Sequence, residues 1–162
     1  MRKLSTWKTG LIVTVDPGSC SGALAIYQPE TKETDVLNMP PSKEEIFDAF
    51  KTFSDICALA GVPMHIVCEN VGKYRPGNSG PAAVKFGRHC GHLDMAFIAI
   101  GHKPTMVAPA VWMRKDRPTL SKEKSIRKRT IKAEMAAKHP TLRVTLKNAD
   151  ALGILEYTLK YL

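Results

Sequence analysis

Three acidic residues stand where carboxylates can do chemistry. Asp16 closes the apolar run 11–15 (LIVTV), Glu69 closes the run 64–68 (MHIVC), and Asp150 opens the apolar stretch 148–161. Each has core-type neighbours: Val15 before Asp16, Cys68 before Glu69, Ala149 and Ala151 around Asp150. A carboxylate among such residues is costly to bury unless it is paired or binds a metal. Three carboxylates drawn to one point also repel one another, and a divalent cation resolves that repulsion. Mg²⁺ suits the role, because it prefers hard oxygen ligands and is commonly held by a few carboxylates, water and a phosphate. Two such ions about 3.5–4 Å apart can activate a water and stabilise the leaving 3′ oxygen of a phosphodiester. Taken singly, each acid has a plainer account: Asp16 as a turn former, Glu69 as an arginine's partner, Asp150 as a helix-start acid favoured by the helix dipole.

The charge distribution says what such a site would face. The chain of 162 residues carries a net charge of +9. Residues 1–72 hold six Lys/Arg and nine Asp/Glu, whereas residues 73–147 hold seventeen Lys/Arg and four Asp/Glu. A one-sided excess of this size is the footprint of a polyanion binder. The basic half alternates with ordered, apolar segments, so it does not read as a disordered tail.

The elements that must position the acids follow from the pattern of residues. Runs 11–15 and 22–27 (GALAIY) are rich in strand formers and flank DPGSCSG, a turn with glycine at both ends. They read as a β-hairpin whose first strand ends on an aspartate. A third strand fits 34–39, stopped by Pro40 and Pro41. Ser42 followed by Glu45 is a capping box, and Ile46, Phe47, Phe50, Phe53 and Cys57 recur at helical spacing, which predicts a helix over 43–60 ended by Gly61. A strand over 64–68 leads to Glu69. Pro81 fits the first turn of a helix over 81–100, and 105–108 is a short strand. Residues 113–120 read as a loop, 121–138 as a strongly basic helix and 148–161 as a final helix. Three leading strands followed by alternating helices and strands predict an α/β fold, a mixed sheet flanked by helices. No linker divides the chain, so one domain over 1–162 is expected.

No run of about eighteen apolar residues is present, so no transmembrane helix is expected. The apolar run 11–15 is too short for a signal peptide, and a cytoplasmic location is expected. Cys20, Cys57, Cys68 and Cys90 show no CxxC spacing and read as reduced thiols.

With these blocks in place, the chain resembles the RuvC-type Holliday junction resolvases of the RNase H-like superfamily, and looks closest to the branch with the plant chloroplast resolvase and its bacterial and viral relatives. Three blocks carry the resemblance: VTVDPGSCSGALAIY (13–27), HIVCENV (65–71) and NADALGILEY (148–157). The stretch FGRHCGHLDMAFIAIGH (86–102) is similar to the family's central helix, followed by VAP and VW. The resemblance implies an RNase H-like fold with a five-stranded sheet. It implies a homodimer, joined through the central helix 81–100, that binds a four-way DNA junction and nicks two opposing strands using Mg²⁺, with Mn²⁺ as a substitute. Asp16, Glu69 and Asp150 carry over as catalytic metal ligands.

Two departures stand out. Many relatives place a fourth acid or a histidine three positions before the last aspartate, where this chain has Lys147, a candidate auxiliary residue. Bacterial relatives carry an aromatic wedge just after the glutamate; the matching stretch here offers Lys73, Tyr74 and Arg75, with Tyr74 able to stack on a base. Arg114, Lys115 and Arg117, and Lys124, Arg127 and Lys128 on one helical face, are candidate phosphate contacts. His89 and His92 have no matching ligand pair and read as DNA contacts or dimer packing, not a zinc site. Competing readings are another nuclease of the same fold acting on RNA–DNA hybrids or rRNA, an ATP-binding domain suggested by DPGSCSG, and a non-catalytic DNA-binding module.

Overall fold

The computed structural model describes residues 9–72 and 79–162. Its elements run β1 (Leu11–Asp16), β2 (Ala23–Gln28), β3 (Glu33–Asn38), α1 (Lys43–Ala60), β4 (Met64–Glu69), α2 (Gly80–Ala99), β5 (Thr105–Val107), α3 (Pro109–Arg114), α4 (Lys124–Lys138) and α5 (Ala149–Tyr161). The strands form one mixed sheet in the order β3-β2-β1-β4-β5. β1, β2 and β3 are joined by antiparallel pairing, while β4 lies parallel to β1 and β5 parallel to β4. The expected mixed five-stranded sheet flanked by helices is therefore present. One element differs from the sequence reading: α3 spans 109–114, of which 109–112 are assigned to no element by the sequence and 113–114 to the start of a loop. Six residues opened by Pro109 are too few to show a helical period.

Each face of the sheet has its own core, because side chains alternate along a strand. Leu11, Val13 and Val15 of β1 join Met64, Ile66 and Cys68 of β4 under α1 and α2, with Ile46, Phe50, Leu93 and Phe97 from the helices. Ile12 and Val67 face the other way, toward Trp112, Ile131, Met135, Leu152 and Leu155. The helix α1 is capped as its sequence predicts: the Ser42 hydroxyl accepts from the Glu45 N–H, and the Glu45 carboxylate accepts from the Ser42 N–H.

Two local devices hold the frame near the acids. In the β1–β2 turn the Gly22 N–H donates to the Gly18 carbonyl at 3.0 Å. A Cβ on Gly22 would lie 2.4 Å from the Asp16 carbonyl oxygen and 2.5 Å from the Gly18 nitrogen, so only glycine fits this crossing. The second device joins the loop after α3 to α4. Arg117 grips Glu134 with two N–H groups, Nε to Oε2 and Nη2 to Oε1, the latter at 2.7 Å. Its Nη1 also donates to the Trp112 carbonyl at 3.3 Å. Burial pushes the Glu134 carboxyl up, but its bonds to Arg117 and Lys138 outweigh that and hold it below the ordinary glutamate range.

Two predictions follow from these devices. Gly22→Ala sets a methyl against backbone atoms that cannot move independently, and should destabilise the fold by about 2–3 kcal/mol in thermal or urea unfolding. A carboxyl whose value is lowered by folding stabilises above its unfolded value, and that contribution is lost as pH falls through the lowered value. Wild-type stability should therefore decline below pH 4.5, the ordinary value for Glu134, and Arg117→Gln should flatten part of that decline. At neutral pH the same variant should be less stable by about 1–2 kcal/mol, less than for a fully buried pair because Glu134 is partly exposed.

Candidate active site at the carboxyl end of the central strands

Parallel pairing brings the first two acids together. Val15 lies opposite Cys68 in the β1–β4 register, so Asp16 and Glu69 are the next residues on adjacent strands. Side-chain alternation then decides their direction. Thr14, two residues before Asp16, turns toward α5 and donates its hydroxyl to the Ala151 carbonyl at 2.8 Å. Asp16 shares that face. Glu69 faces the same way and accepts a hydrogen bond from the Trp112 indole Nε1 at 2.9 Å. Asp150 lies in the first turn of α5, next to the residue that Thr14 grips. All three acids are nearly enclosed, at 7%, 4% and 9% relative exposure for Asp16, Glu69 and Asp150.

The site has its own cation. Lys128 of α4 places its ammonium 3.3 Å from Asp150 Oδ2. The helix packs through Ile131 and Met135, which are buried against α5. Lys128 lies one turn before Ile131, on the same inward stripe, and this directs it to Asp150. Among the described residues no group of three His, Cys, Asp or Glu side chains is arranged to hold a metal ion. The acids share one end and one face of the sheet, with Lys128 as the positive charge at Asp150. The three carboxylates supply the hard oxygen donors that a divalent ion takes, but among the described residues they are not gathered into one cluster, and Lys128 occupies the place of a cation at Asp150.

More positive charge surrounds the turn that follows Asp16. The Lys85 ammonium of α2 lies 3.4 Å from the Cys20 sulfur. The Ser19 hydroxyl, then Lys85, hold the Cys20 thiol below its ordinary range, with a smaller contribution from Lys147. Lys147 stands two residues before α5. Lys85 was not among the residues singled out from sequence, because only the packing of α2 against the β1–β2 turn brings it there.

The other expected DNA contacts separate. Lys73, Tyr74 and Arg75 lie outside the described residues. Arg114 and Lys124 are exposed, and Arg127 donates to the Lys122 carbonyl at 3.0 Å. Lys115 lies over the Tyr161 ring, 3.7 Å from its centroid. Arg117 requires correction: its side chain is 12% exposed and holds Glu134 and the Trp112 carbonyl, so it braces the fold instead of facing a phosphate. His89 is buried, and burial, followed by the nearby His92, pulls its imidazole below the usual range.

Trp112 is the residue that sequence reading passed over. The dipeptide VW served only as part of a resemblance, and a tryptophan in an apolar stretch signals core. Its contact with Glu69 spans 43 positions of chain.

No protein-family profile and no curated protein sequence matches the chain. Its fold does match solved structures. A RuvC from T. thermophilus in complex with a Holliday junction substrate superposes with a TM-score of 0.54 at 16% identity, covering 93% of this chain and 93% of that one. A second Thermus thermophilus RuvC structure gives a TM-score of 0.51 at 14% identity, covering 92% of this chain and 93% of its own. Over nearly its whole length the chain therefore shares the fold of these RuvC structures, a mixed five-stranded sheet flanked by helices.

Proposed function

We propose that the protein is a divalent-metal-dependent endonuclease of the Holliday junction resolvase type, making paired symmetric nicks in four-way DNA junctions. The observation that carries this reading is that Asp16, Glu69 and the start of α5 with Asp150 lie on one face toward the carboxyl end of β1 and β4, in a fold shared with a protein solved with a Holliday junction. A purely binding module would gain nothing from three enclosed carboxylates facing a polyanion.

In this reading Asp16, Glu69 and Asp150 hold Mg²⁺, or Mn²⁺ in its place. The metal, when bound, supplies an activated water and charge neutralisation at the scissile phosphate. The chain's own groups do the rest. Trp112 orients Glu69, and Lys128 balances Asp150 until a cation takes that role. Lys85 and Lys147, with the exposed Arg114 and Lys124, draw the phosphate backbone toward the turn after Asp16. Two active sites are needed for paired nicks, which requires a second copy. The central helix α2 exposes Val84, Met95 and Ile98, an apolar surface suited to pairing two copies. Among the described residues no helix is long and apolar enough to cross a membrane.

The deciding experiment incubates a mobile four-way junction with Mg²⁺ and compares wild type with Asp16→Asn. Symmetric paired nicks are expected from wild type, and at least a hundredfold slower cleavage from the variant. Equal rates would remove Asp16 from the mechanism. Parallel reactions on an RNA–DNA hybrid and a linear duplex should be much slower, and preference for the hybrid would favour a different nuclease of this fold. If roughly six phosphates are contacted, log K for the junction should fall against log salt with a slope near −5. A slope near zero would overturn the phosphate-contact account.

A further inference from the structure

Trp112 is almost fully enclosed, at 1% relative exposure, yet its one polar group meets an acid and not a backbone carbonyl. Indole N–H is only a donor, and a carboxylate only an acceptor when ionised, so the 2.9 Å contact favours ionised Glu69 in one orientation. The ring itself is wedged against α5. A Cβ built on Gly153 would lie 2.6 Å from Trp112 Cζ3 and 3.3 Å from Cε3. Gly153 is one helical turn beyond Asp150, so the indole lies between the element that carries Asp150 and the carboxylate of Glu69. The back of the residue is also held: the Trp112 carbonyl accepts from Arg117, which grips Glu134 on α4, the helix that sends Lys128 to Asp150.

We infer that Trp112 is a positioning residue, a rigid spacer seated on Gly153 that sets the orientation of Glu69 and its separation from Asp150. The inference rests on the reading of those acids as divalent-metal ligands. Partners of metal ligands that do not touch the metal commonly contribute about 10–100-fold to metal affinity or activity. The ring alone cannot do this. Phenylalanine would fill most of the space and remove the indole N–H that Glu69 accepts from. At position 153 any side chain would push the ring off its seat.

The test measures Mn²⁺ binding by electron paramagnetic resonance of the free ion, with junction cleavage followed in a separate assay. It uses wild type, Trp112→Phe and Gly153→Ala, with melting temperature and junction affinity in EDTA measured alongside. Trp112→Phe is expected to bind Mn²⁺ about tenfold or more weakly and to cleave correspondingly more slowly, with junction affinity within twofold of wild type. Gly153→Ala should weaken Mn²⁺ binding in the same direction, and the double variant should lose less than the product of the two, because both act on one carboxylate. Should the phenylalanine variant not fold, benzothienylalanine at 112 in a Trp7→Phe background replaces the N–H with sulfur and keeps the ring. Wild-type Mn²⁺ affinity in the donor-less variant overturns the inference, as does a fall in melting temperature alone. If wild type binds Mn²⁺ and Trp112→Phe does not, yet no junction is cut, the positioning role stands and the junction reading fails. If wild type binds no Mn²⁺, both fail.

Discussion

Bringing like charges together at the end of two adjacent strands is the constraint around which this protein is built. The parallel register of β1 and β4 makes Asp16 and Glu69 neighbours, and the tie from Thr14 to Ala151 adds the first turn of α5. Enclosed carboxylates at such a point are unstable without compensation. The surrounding structure reads as that compensation. An ammonium from α4 sits at Asp150, an indole donor from α3 holds Glu69, and a helix N-terminus favours the charge of Asp150.

The two sides of the sheet divide the work. Under α1 and α2 lies a conventional core of aliphatic and aromatic side chains, including the edge-to-face pair Phe50 and Phe97. The α3–α4–α5 side carries a core as well, but its rim is polar, and the polar groups form a chain of contacts from Glu69 through Trp112, Arg117 and Glu134 to α4. Several cations of the basic half thus have internal duties. The chain keeps a net charge of +9, and electrostatic attraction at a distance depends on total charge more than on which lysine touches which phosphate.

Much of this was legible in the residues before any coordinates. Strand-forming runs ended by glycine and proline marked β1 and β2, and the Ser42–Glu45 box marked the start of α1, because these signals act within a few residues of themselves. The acids stood out because each breaks an apolar context. The six-residue α3 did not, since a helix of that length is shorter than two periods of its own pattern. Arg117 read as a surface cation because its partner Glu134 is 17 positions away.

The sequence by itself determined the order of elements, the positions of the three acids at the ends of their segments, and the excess of positive charge after residue 72. Local propensity and composition are properties of neighbouring residues, and these were enough. Only the tertiary structure decided which face of the sheet the acids share, that Lys128 and not Arg117 reaches them, and that Trp112 stands on Gly153 with its donor on Glu69. Those facts depend on strand register, side-chain parity and helix packing between segments tens of residues apart, none of which a linear pattern contains.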